Sequence, residues 1–157
     1  MKKVLTIVLA VAMVLSMGVC AFAAEVSTDG GTQDTTATYT EGQTFVVTIP
    51  SDIAVAKKGA QATPVIVSAA DVVIPADKTL KVTVTSKNSW TVKSPEGGSF
   101  AYGLHVGEGE ALANNGEVLS VVNGTATGNA SLTAKLTEEV TKSGTFTDTL
   151  TFTVKLA

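Results

Sequence analysis

The chain of 157 residues has no arginine, one cysteine and one histidine, and only 5% of it is aromatic. Each shortage removes a class of chemistry. Without arginine there is no bidentate guanidinium fork for phosphate, and the eleven lysines are outnumbered by fourteen acids, leaving a formal charge of −3. An acidic surface of this kind excludes nucleic acid as a partner and disfavours anionic membranes. A single cysteine, Cys20, allows no internal disulfide. The only histidine, His105, lies between Leu104 and Val106 without the further His or Cys that zinc requires, and no nucleophile and acid are recognisable around it as a hydrolase triad. Its phase with Gly103 reads as an outward strand position. Neither a cofactor nor an enzyme is expected.

What the chain does have begins with an export signal. Lys2 and Lys3 precede an apolar run from Val4 to Val19, and Ala21-Phe22-Ala23 supplies the small residues a signal peptidase accepts. Residues 1–23 are therefore expected to be a signal helix, cleaved after Ala23. The run is shorter than the roughly 20 apolar residues of a membrane span, so no membrane contact is expected after cleavage. Val19 is too bulky for a lipid-modified Cys20. Cleavage would also remove the only cysteine and two lysines, taking the formal charge from −3 to −5. The product would be stable without disulfides, a habit of bacterial surface proteins.

Residues 24–40 are Thr, Asp, Gly, Gln and Ser with little to bury, and are expected to be a flexible leader. Residues 41–157 read as one β domain. Segments 44–49 (TFVVTI) and 64–74 (PVIVSAADVVI) are rich in β-branched residues between Pro, Gly and Asp. Leu80, Val82 and Val84 alternate with Lys81, Thr83 and Thr85, and Trp90 and Val92 continue the phase. Further strands are expected over 100–106, 118–122 and 132–136. In GTFTDTLTFTVKLA, Phe146, Leu150, Phe152, Val154 and Leu156 share one face, and a ladder of threonines with Lys155 shares the other. No stretch of comparable length has helical spacing. Roughly eight short strands predict an antiparallel β-sandwich of Ig-like type, with a barrel as the alternative. After Leu156 no stop-transfer helix or sortase-type motif is seen, so retention at the cell is expected to be non-covalent.

Two groups of residues are candidates for a site. Trp90, with Tyr102 and Phe100 beside it, could form a stacking platform for a sugar, although the phase of Trp90 with Val92 favours a core position. Glu108, Glu110, Asn114 and Glu117 in the loop GEGEALANNGE offer oxygens to calcium, but their spacing fits no EF-hand, and a solvated acidic loop is the preferred reading. A glycosidase pair could in principle come from the same glutamates, but such enzymes need an aromatic-lined cleft, and the aromatics are too few. Lys81, Lys93, Lys135 and Lys155 all fall on outward phases, away from any buried acid with which an isopeptide bond could form.

Taken together, the Lys-Lys signal ending in AFA, TFVVTIP, LKVTVTSKNSWTV and the terminal GTFTDTLTFTVKLA resemble small secreted surface proteins of Gram-positive, Clostridia-like bacteria. The nearest named family is the WxL-type cell-surface domain. Trp90-Thr91-Val92 stands where that family has its first Trp-x-Leu motif, with Val for Leu, and Phe152-Thr153-Val154 stands at the second, with Phe for Trp. The resemblance implies a WxL-like β-sandwich held non-covalently on peptidoglycan. The expected role is thus a secreted or cell-surface, non-enzymatic protein that binds cell-wall glycan or other surface proteins, in adhesion or as an envelope component. A self-assembling pilus or matrix subunit using strand complementation and a soluble carbohydrate-binding module are the alternatives. When the whole sequence is expressed in an exporting bacterium, the secreted product should begin at Ala24; intact-mass measurement checks this, and a product retaining residues 1–23 would contradict it.

Overall fold

The computed structural model describes residues 7–10, 39 and 42–157. Its strands are β1 (Ile7–Ala10), β2 (Thr44–Ile49), β3 (Val55–Ala56), β4 (Val65–Val73), β5 (Thr79–Ser86), β6 (Thr91–Lys93), β7 (Ser99–Val106), β8 (Gly116–Val122), β9 (Thr127–Leu136) and β10 (Leu150–Leu156). No helix is present among the described residues, so the protein is all-β there. One sheet runs in the order β1-β2-β4-β9-β7-β6, with the short β3 also on β9; a second, three-stranded sheet runs β10-β5-β8. All pairings are antiparallel except that of β3 with β9.

The signal helix expected over residues 1–23 lies outside the described residues apart from Ile7–Ala10. Those four are not helical but extended, paired antiparallel with Val46–Ile49 of β2. A run of four aliphatic residues suits a strand as readily as a helix, and the edge of β2 offers it a ladder of backbone partners. The expected leader, 24–40, also lies outside, Tyr39 excepted.

Alternation builds the core. Leu80, Val82 and Val84 of β5 are fully buried, as are Val67 and Ala69 of β4 and Leu104 and Leu132 of β7 and β9; residues of both sheets belong to one continuous apolar cluster. Full burial of each aliphatic side chain contributes about 1.5–3 kcal/mol relative to exposure, which is why strands with one apolar face stack on each other. Two breaks in the alternation have local causes. Along β4 and into Ile74 just after it, the buried positions change from Val67 and Ala69 to Val72 and Ile74. Asp71 stands at the break with φ 51°, and this left-handed residue turns the following side chains to the opposite phase. In β8 the consecutive residues Val118 and Leu119 are both buried, because the register with β5 slips between Val82 and Thr83.

Asp71 is exposed, so its substitution tests the backbone with little packing at stake. Asp71→Val should lower the unfolding free energy by about 1–2 kcal/mol, the cost of a side chain ill-suited to the left-handed region, whereas Asp71→Gly should lose no more than about 0.5 kcal/mol. Urea denaturation of the three proteins measures both.

Candidate functional site

Where the first turn of the three-stranded sheet meets the entry to its last strand, several polar groups converge on one carboxylate. Asp148 precedes β10 in what the alternation makes an inward position. Its Oδ2 accepts hydrogen bonds from Ser86 Oγ at 2.6 Å and Tyr102 Oη at 2.8 Å. Its Oδ1 accepts from the backbone N–H of Asn88 at 3.1 Å and of Thr149 at 2.7 Å. Ser86 is the one polar residue buried among the described residues; its Oγ also accepts from Trp90 N–H at 2.6 Å, and its own N–H donates to Asn114 Oδ1 at 2.9 Å. Every oxygen and hydroxyl of this cluster is therefore engaged, as buried polar groups must be.

The turn between β5 and β6 is held in an unusual shape by the same contacts. Ser89 and Trp90 both have positive φ, 53° and 61°, a region that bulky residues avoid. The Trp90 ring meets Tyr102 edge-to-face at 5.8 Å between centroids, and Trp90 C=O accepts from Tyr102 N–H at 2.9 Å. Ring packing and backbone hydrogen bonds together over-determine the strained turn.

The candidate sugar platform does not form an open surface. Phe100 and Tyr102 are 5% and 4% exposed, and Phe100 packs edge-to-face on Phe146 at 4.8 Å. Trp90 is half-buried against the core, with its Nε1 buried and without a hydrogen-bond partner. The four calcium candidates are not brought together, since no group of three or more acidic, His or Cys side chains suited to a metal occurs among the described residues. Asn114 is committed to Ser86, and Glu117 Oε2 lies 2.9 Å from Lys81 Nζ on the surface. Glu108 and Glu110 face solvent. His105 Nδ1 lies 2.9 Å from Gly109 C=O, closing the loop that follows β7.

Beside the Asp148 cluster runs a groove of about 810 Å³ between segment 49–55 and the start of β10, with Ile49, Ile53, Tyr102, Phe146 and Phe152 among its walls. A second recess of about 630 Å³ shares Val55 and Phe146 with it and has Lys57 and Lys142 among its lining. Asp148, which lines this groove, is engaged by the four donors described above. The groove's walls combine this apolar surface with the polar side chains of Ser51, Asp52, Thr147, Thr149 and Thr151. The alternation at the sequence level passed over Asp148 and Ser86, though both carry a signal: each is a polar residue standing in the apolar phase of the alternating pattern.

Compared with protein-family models, curated proteins and solved structures, the chain matches none of them.

Burial and the hydrogen bond to the Asp148 carboxylate, together with its negative charge, hold the Tyr102 phenol well above its ordinary value, against a smaller opposing effect of Ser86. The unfolded chain releases this proton near pH 10, while the folded protein keeps it. The stabilising contribution is complete below about pH 10 and declines as pH rises beyond it. The stability difference between the native protein and Tyr102→Phe should therefore be constant up to about pH 10 and shrink above it. Asp148→Ala, which leaves two hydroxyls and two N–H groups without their acceptor, should cost about 3 kcal/mol or more at neutral pH. Denaturation curves across pH check both.

Proposed function

We propose that the chain is an exported, non-enzymatic β-sandwich of Ig-like, WxL-like build that serves at the bacterial surface, as a structural component of the envelope or by binding cell-wall glycan. The observation that carries this reading is the engagement of Asp148: the carboxylate beside the groove accepts four hydrogen bonds from the protein itself. Such a site suits holding and assembly better than turnover. The outward threonines and lysines of the strands, together with the export signal and the altered Trp-x-Leu motifs at 90–92 and 152–154, support a place at the cell wall. No covalent anchor is part of the proposal.

Between the two versions, burial of Tyr102 and Phe100 leaves only the half-buried Trp90 to stack on a sugar, which favours the structural role. Sedimentation with purified peptidoglycan tests the wall-binding version. It predicts that most of the protein pellets with the wall material and that Trp90 fluorescence shifts on binding; a protein found wholly in the supernatant contradicts it.

A further inference from the structure

Among the described residues β10 is the outer strand of its sheet, and it lacks the usual defences of an edge. Its pairing with β5 runs without a break from Leu150 opposite Ser86 to Leu156 opposite Leu80, whereas the β2–β4 and β5–β8 ladders each contain a register shift. It contains no proline, and its one charge is Lys155. Ala157 and Thr79 exchange both backbone hydrogen bonds, each at 2.9 Å. Antiparallel ladders alternate, so Thr151, Thr153 and Lys155 also direct N–H and C=O toward β5, and those of Phe152, Val154 and Leu156 point away from it.

The same residues are incompletely covered. Leu150, Phe152, Val154 and Leu156 are all half-buried, while Val84, Val82 and Leu80 opposite the last three are fully buried. Among the described residues, backbone groups outside any ladder and half-covered apolar side chains thus coincide along one strand edge.

We propose that this edge pairs antiparallel with the same edge of a second copy, about a two-fold axis at Thr153, to form a continuous six-stranded sheet. In this register Leu150 lies opposite the partner's Leu156 and Phe152 opposite the partner's Val154, as hydrogen-bonded pairs. Thr151 lies opposite the partner's Lys155, and Thr153 faces itself. All seven residues of β10 are paired, each apolar residue meets an apolar one, and the two lysines are kept apart, each against a threonine. The pairing rests on the structural reading above for its setting at the envelope, but not for its geometry. A two-fold contact of this kind closes at a dimer.

The register is read by cross-linking. The full sequence is expressed in an exporting host with Cys20→Ser, so that an engineered thiol is the only one in whatever form is recovered. Thr153→Cys places two thiols directly opposite in a non-hydrogen-bonded pair, where Cα atoms are about 4.5 Å apart and a disulfide can close. Thr151→Cys leaves them four residues out of step, about 13 Å along the strands. On oxidation, Thr153→Cys should yield at least about five times as much disulfide-linked dimer as Thr151→Cys, with circular dichroism showing both folded. Equal cross-linking of the two, or none with Thr153→Cys, overturns the proposal. A second variant, Thr153→Glu, sets two carboxylates against each other and should elute as a monomer at low salt, with dimer returning at high salt; a dimer independent of salt overturns it. A cross-linked protein that ignores peptidoglycan keeps the pairing and removes wall binding alone, while a wall-bound protein without the Thr153 cross-link removes the pairing alone.

Discussion

The carboxylate of Asp148 fastens the two sheets to each other. Through Ser86 it holds the end of β5, through Tyr102 it reaches β7 in the other sheet, and through the N–H groups of Asn88 and Thr149 it fixes both the turn after β5 and the approach to β10. Each oxygen of this half-buried carboxylate accepts two donors, and truncating it would strand all of them. The strained Trp90 depends on the same arrangement, since its N–H is anchored on Ser86 Oγ. Backbone hydrogen bonds between Lys93 and Thr147 and the bond from Ile74 N–H to Asn123 Oδ1 add further polar ties, and the rest of the adhesion is apolar contact, which is strong but does not specify direction.

The tie also explains why the molecule is closed at one place and open at another. At Ser86 and Asp148 the loops before β8 and β10 are pinned by Asn114 and by the carboxylate. Past Leu150 no comparable clasp exists, and β10 runs on with its inner side chains half covered and its outer backbone groups unpaired among the described residues. An edge strand with apolar inward side chains and threonines outward is well suited to extending a sheet.

Much of the fold was legible in the sequence because period-two alternation is a direct consequence of strand geometry. Segment 44–49 coincides with β2, and the Leu80–Val84 alternation lies within β5. The terminal strand begins at Leu150, later than the alternation from Phe146 suggests, because Asp148 takes that stretch into its cluster and leaves only an isolated bridge between Lys93 and Thr147. Trp90 keeps its inward tendency but stands in a turn, since its hydrogen bond to Ser86 and the one it accepts from Tyr102 impose a conformation that no propensity favours. The two-residue β3 and the phase change at Asp71 were invisible, as both arise from contacts distant in sequence or from a single backbone torsion. The polar cluster was missed for a different reason: reading strands as an apolar face and a polar face passes over the single polar residue on the wrong face, and Ser86 and Asp148 are both of that kind.

The central claim is that β10 is firmly bound on one side and open to a second copy on the other. Hydrogen exchange resolved at single amides of β10, followed over a range of protein concentrations, tests it most directly. The account predicts that Thr151 and Thr153, bonded to β5, exchange slowly at every concentration, while Phe152 and Val154 exchange fast in dilute protein and become protected as concentration rises. Uniform protection of all four amides at every concentration, or fast exchange at Phe152 and Val154 that concentration does not slow, would contradict it.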